Sequence, residues 1–358
     1  MKNLNFRNIT LGLASTILLF SCSNNDDSSS TTPSTNYSSE LTNISLNVIT
    51  ATYKDLDDQA ATLKTAVDNF TIGDEASLEA IKTAWRATRS PWEKSEGFLY
   101  GPVDTEGLDP ALDSWPVDVT AINAILSSDN TITSTLLATN NEARGFHTIE
   151  YFIWGLDGNK TASELTARDI EYLKAATDDL KNNTQTLYDG WNTSSGNFAS
   201  NFINAGQSGS LYTSQKGALE EIVDGLITIA DEVGNGKIET PLNGNGGSAQ
   251  PEAEESRFSH NSKADFADNI RSIQNVYLGD FGSVSGSGLT DIIVDQNATL
   301  DATIKSQITD AITAIESIPG TFTDAITNNR TAVQNAQEKV RTLQTTLESQ
   351  LKPLISNL

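Results

Sequence analysis

The sequence predicts an all-α protein made of two packed helical bundles with long irregular connections. Three observations carry this expectation. Apolar residues recur in steps of three and four through most segments, and no stretch alternates apolar with polar residues long enough to build a sheet. Gly, Asn, Pro and Glu concentrate in residues 234–256, between two helix-rich parts.

The chain opens with Lys2 and Arg7 ahead of an apolar stretch from Ile9 to Phe20. That stretch is too short to span a bilayer, so residues 1–21 read as a signal peptide that is removed. Leu19-Phe20-Ser21-Cys22 resembles a bacterial lipobox, which makes Cys22 the expected lipidation site. It is the single cysteine of the chain, so no intramolecular disulfide competes for it. Residues 22–39 are polar and rich in Ser and Thr, and predict a flexible tether. Asp26 and Asp27 resemble the surface-export signals of some outer-membrane lipoproteins. The expected location is therefore the cell envelope, lipid-anchored at the outer membrane, on its periplasmic or surface-exposed face.

Charge narrows the partners. The full chain carries −24, and loss of residues 1–21 removes two basic residues and no acid, leaving about −26. Such a body disfavours nucleic acid and anionic lipid headgroups and tolerates metal cations. Membrane lipid is then an expected partner through Cys22 alone.

The first bundle is expected over residues 40–235. Leu41, Ile44, Val48, Ile49, Tyr53, Leu56, Ala60, Leu63, Val67 and Phe70 mark one long amphipathic helix, closed by Ile72-Gly73-Asp74. A second helix runs from Glu75 to Trp92, where Pro91 bends or ends it. Residues 100–118 hold Gly101, Pro102, Gly107, Pro110 and Pro116 and predict an irregular connection, long enough to carry function. Short helices follow over 119–138. One more helix starts near Asn141, carries His147 and stops at Gly155. Thr161 to Trp191 reads as a single long helix, and a further one spans about 213–233. The second bundle, 236–358, is expected to hold helices at about 263–278, 298–317 and 322–352, with Leu289 to Asp295 as a short strand.

The chain has two histidines, His147 and His260. On a helix, positions i and i+3 share a face, so His147 and Glu150 can present an imidazole nitrogen and a carboxylate to one point. Such a pair suits a transition metal or acid–base work. The same pattern also fits a histidine hydrogen-bonded to a glutamate in a packed bundle. Gly145 would let another backbone come close. Neither His-Glu-x-x-His nor His-x-x-Glu-His is present, because position 151 is Tyr. A His₂Glu zinc site would have to recruit His260, which a turn-like segment makes a surface residue.

Gly145-Phe146-His147-Thr148-Ile149-Glu150 closely resembles the Gly-x-His-x-x-Glu signature of the imelysin family of bacterial envelope proteins. The stretch from Trp85 through Arg89, Pro91, Trp92, Ser95 and Glu96 is similar to another motif of that family. Trp115-Pro116-Val117-Asp118, Gly236-Lys237-Ile238, Glu255-Ser256-Arg257-Phe258-Ser259 and Phe266 to Gly279 also fit. The resemblance implies two helical bundles with a site where they meet. It places His147, Glu150 and Glu96 as metal-ligand candidates, with Ser95, Asp118, Arg89, Gly145, Arg257 and Ser259 as neighbours. Asp118 also reads as a helix cap, and Arg89 with Glu96 as an ion pair. Trp85, Trp92, Trp115 and Trp154 read as core.

The leading functional expectation is a lipid-anchored protein that binds iron, or an iron-bearing ligand, for uptake. Iron or another divalent transition metal, zinc included, is the implied cofactor, and an iron-uptake receptor or permease the implied partner. The family also carries a peptidase label. A hydrolytic zinc site needs three protein ligands and a general base, and the sequence identifies too few. A partner-binding scaffold with a structural His147–Glu150 pair is the remaining alternative.

Overall fold

A computed structural model describes residues 36–244 and 246–358. The expected signal peptide, Cys22 and the tether up to residue 35 lie outside them. The described residues are mainly helical, with one small antiparallel hairpin, β1 (Asp280–Phe281) and β2 (Val284–Ser285). None of the described helices is long and apolar enough to cross a membrane.

The first helix, α1, covers 38–68 as one rod: Ser38–Asn43, a π-helical stretch Ile44–Thr50, and Ala51–Asp68. It begins inside the segment expected to be a tether. Tyr37 is already tied down there, its N–H donating to Gln215 Oε1 at 2.9 Å. The apolar series from Leu41 to Val67 is buried, as its spacing predicts. Asp74 caps α2 (Glu75–Glu93) by accepting from the Ala76 N–H, and Pro91 sits in that helix's last turn.

Two further helices complete the first bundle, α3 (Gly145–Trp154) and α4 (Ala167–Trp191). The helix expected over 161–191 is divided. Thr161 with Glu164 and Thr166 with Asp169 each form a capping box, and a second box inside one segment starts a new helix. Helix α1 packs on α2 and α4, and α3 packs on α2 and α4.

The second bundle contains α5 (Gln215–Asp231), α6 (Ser262–Leu278), α7 (Leu289–Glu316) and α8 (Arg330–Thr346). Helix α7 lies against α6 and α8, and α5 against the same two. Helix α5 precedes residue 236 and packs on both groups, against residues 96–98 of the first as well as α6 and α8 of the second.

Two expectations are corrected here. Leu289 to Asp295 is the start of α7, not a strand. Asp291 accepts from the Gly288 N–H, which caps a helix, and Leu289, Ile292 and Ile293 are buried at helical spacing. A backbone break at Asn297 (φ −156°, ψ 85°) separates this first part from the helix expected at 298. The helix expected over 322–352 is likewise broken, at Asn329 (φ −130°, ψ 36°), into Phe322–Asn328 and α8.

The bundles meet backbone against backbone. A Cβ on Gly225 of α5 would fall inside contact distance of the Gly97 carbonyl oxygen. A Cβ on Gly97 would meet Ser272 Oγ of α6 at 2.7 Å. Gly225→Ala should therefore push the bundles apart and cost about 1–3 kcal/mol. Gly217→Ala lies in the same helix, where a Cβ meets only Ser214 Oγ at 3.4 Å, and should add about 0.5–1 kcal/mol. Urea denaturation of both variants tests the contact, and midpoints moving in the same direction would count against it.

Candidate metal centre

The site forms where α2 and α3 of the first bundle face the loop of residues 251–261 and α6 of the second. Helix α3 starts abruptly. Gly145 has φ +78°, and an added Cβ would run into the Leu112 carbonyl oxygen, so only glycine lets the short helical turn Asp109–Asp113 lie this close. That contact delivers Asp113 to the ring of His147.

His147 is fully buried. Its Nδ1 lies 2.9 Å from Glu150 Oε2, one turn along the helix. The other Glu150 oxygen, Oε1, accepts from the Ser259 N–H and Oγ–H, both at 2.7 Å. Both oxygens of Glu150 are thus engaged away from the open side of the ring. His147 Nε2 points the opposite way, 3.1 Å from Asp113 Oδ1 and 3.6 Å from Glu255 Oε1, and makes a well-formed hydrogen bond with neither. Asp113, His147 and Glu255 offer ligand atoms close enough together to hold one metal ion, as do Glu93, Glu96 and Asp113.

A buried Nε2 facing two carboxylates needs positive charge between them. An imidazolium proton satisfies this, and so does a metal ion on the Nε2 lone pair. Burial disfavours the His147 cation. Asp113, Glu150 and Glu255 outweigh it and hold the ring's pKa well above the usual histidine value.

Arg89 and Lys237 occupy the rest of the polar interior. The Arg89 guanidinium, fully buried, pairs with Glu93, with Asp113 and, at 2.8 Å, with Glu255; Asp265 lies 3.7 Å away. Lys237 Nζ lies 3.2 Å from Glu255 and 3.8–3.9 Å from Glu93, Glu96 and Glu232. Six carboxylates therefore share two permanent cations. The imbalance shows in their titration. Burial pushes Glu93 up to about 8 against the pull of Arg89 and Lys237, and pushes Asp265 up to about 6. Burial also acts on Glu255, but Lys237, His147 and Arg89 override it and bring the carboxyl down to about 2. A cavity of about 280 Å³ opens onto this group, lined by Glu96, Asp109, Asp113, Trp115, Lys237 and Glu255 among others.

The expected site residues divide as follows. His147, Glu150, Arg89, Glu96 and Ser259 converge here. Glu150 holds the ring in place and does not share a convergence point with Nε2. Glu96 faces Lys237 and pairs with that residue, whereas Arg89 takes Glu93, Asp113 and Glu255 as its partners. Ser95 is buried with its Oγ–H donating to the Trp92 carbonyl. Asp118 caps the helix Val119–Ser127 through the Ala121 N–H and lies off the site. Arg257 faces a different cavity. His260 is exposed, with Nδ1 3.1 Å from Thr323 Oγ1. Trp85, Trp92 and Trp154 are buried, but Trp115 is half-buried and lies edge-on to His147, ring centres 5.1 Å apart.

Comparison with known proteins bears on the family and the fold. The family model described as imelysin matches residues 49–354. Iron-regulated protein A of Synechococcus elongatus is 30% identical over 285 residues, covering 78% of this chain and 76% of that protein. A crystal structure described as an iron-regulated protein A precursor, from Parabacteroides distasonis, superposes with a TM-score of 0.78 at 31% identity, over 87% of this chain and 93% of that one. An imelysin-like protein from Psychrobacter arcticum shares the fold, with a TM-score of 0.71 at 18% identity over 88% and 94% of the two chains.

Arg89 gives the direct stability test of the site. Arg89→Met leaves Glu93, Asp113 and Glu255 buried without their shared cation, and should cost about 3–5 kcal/mol in urea denaturation. A loss below about 1 kcal/mol, the size of a surface pair, would mean that the network is solvated.

Proposed function

Because the chain belongs to the imelysin family, we propose that it is an envelope protein that binds iron, or an iron-bearing ligand, for uptake, at the centre built on His147, Asp113 and Glu255. The observation that carries this reading is His147 Nε2: buried, without a hydrogen-bond partner, and aimed between two carboxylates. The donor set fits the ion, since imidazole and carboxylate together suit iron and related divalent metals. Glu150 would fix the tautomer by accepting from Nδ1–H and so keep the Nε2 lone pair for the metal. Arg89 and Lys237 would hold Asp113 and Glu255 in register. Iron regulation in the name of the Synechococcus relative supports the choice of metal.

The anchor belongs to the same reading. Lipid on Cys22 would keep this site at the membrane, beside the receptor or permease that takes the ion onward. A tethered site of this kind favours holding and presenting a cation. A peptidase would need a general base beyond the three ligands, and Glu150, the carboxylate of the same motif, has both oxygens already engaged.

Two measurements test the proposal. Calorimetric titration with ferrous iron, without oxygen, should give saturable binding that His147→Ala abolishes and Glu150→Gln weakens about 10–100-fold. Identical isotherms for parent and His147→Ala would overturn the site. For the anchor, Cys22→Ser should move the protein from the membrane fraction to the soluble one, and an unchanged distribution would remove that part of the reading.

A further inference from the structure

A second cavity, of about 460 Å³, shares no lining residue with the cavity at the metal centre. Its volume is in the range of small-molecule sites. Leu156 and Pro251 line it, together with Arg257, His260, Asp157 and Glu252. Arg257 is the unusual member. Its guanidinium lies over Phe258 at 4.9 Å and beside the Trp115 ring at 5.7 Å, and its Nε is buried with no hydrogen-bond partner. Among the described residues no carboxylate lies within ion-pair distance of it, in a chain that carries −24. Two acids line the same cavity, yet neither Asp157 nor Glu252 closes on the guanidinium.

Opposite charges held apart across one cavity define the ligand. A planar guanidinium fixed against aromatic faces is preorganised for a carboxylate, which it can bind through two parallel N–H donors. Asp157 and Glu252 would repel a dianion such as phosphate and attract an ammonium group. His260, whose backbone is held at φ +55°, presents its ring to the same space. Leu156, an exposed leucine in the lining, supplies an apolar wall for a carbon skeleton.

We propose that this cavity is a binding site for a small zwitterion of the amino-acid class, its carboxylate on Arg257 and its ammonium group between Asp157 and Glu252. The proposal goes beyond the iron reading and does not depend on it.

The test is calorimetry on the full chain with the common amino acids titrated singly. At least one should bind saturably at millimolar concentration or below. Its amide, which lacks the carboxylate, and its deaminated acid, which lacks the ammonium group, should each bind at least about ten-fold more weakly. Arg257→Gln should abolish binding. Asp157→Asn with Glu252→Gln, both on the exposed rim, should weaken the amino acid about ten-fold and bind the deaminated acid at least as tightly as the parent does. No saturable binding by any amino acid would overturn the proposal. So would equal affinity for the deaminated acid, which would make this an anion site only.

Discussion

The structure depends on one constraint: a guanidinium that is fully buried must be surrounded by acids, and no single bundle of this chain supplies enough. Taking an ion out of water costs several kcal/mol even after relaxation. Arg89 offsets that with Glu93 from its own helix, Asp113 from the irregular loop, and Glu255 and Asp265 from the second bundle. The two halves can therefore bury their facing surfaces only in the register that completes this set. The glycine contacts at Gly97 and Gly225 have the same consequence, since they let the backbones approach until the charges meet. Packing and electrostatics specify one arrangement.

That arrangement leaves a remainder at His147. Helix α3 is short and buried on nearly all sides, so the ring has little freedom once Glu150 takes Nδ1 and Ser259 takes Glu150. What is left is a nitrogen directed at oxygens that repel its lone pair. Arg89 and Lys237 lower the cost of those carboxylates without reaching Nε2. A proton on His147 offsets part of that repulsion, and under the metal-site reading a cation in its place would do the same.

How far this was legible in the sequence follows from where each part lies. The long helices were readable because burial of one face repeats every three or four residues. The errors fell at Leu289–Asp295 and Asn329, where a glycine cap and a local backbone break outweigh the apolar pattern. His147 and Glu150 were readable because both sit on one helix at fixed spacing. Asp113 and Glu255 were not, because each comes from an irregular segment where no periodicity says which way a side chain points. Glu255 and Lys237 stood inside motifs of the family resemblance, yet spacing along the chain could not separate them from their neighbours. Arg257 was grouped with the same site by the family resemblance, and it instead lines the second cavity with its guanidinium 5.7 Å from the Trp115 ring.

Trp115 explains why neighbours in sequence serve two places. Its ring lies edge-on to His147 on one side and faces Phe258 and Arg257 on the other. The two cavities differ in the charges that line them: an excess of carboxylate at the His147 side, and at the other a guanidinium that forms no ion pair among the described residues. The overall acidity of the chain has little to do with either. Most of its acids are solvated, where a neighbouring charge is screened over about 8–10 Å by water and salt. Burial converts a few of them into chemistry, by setting how many cations each group of carboxylates must share.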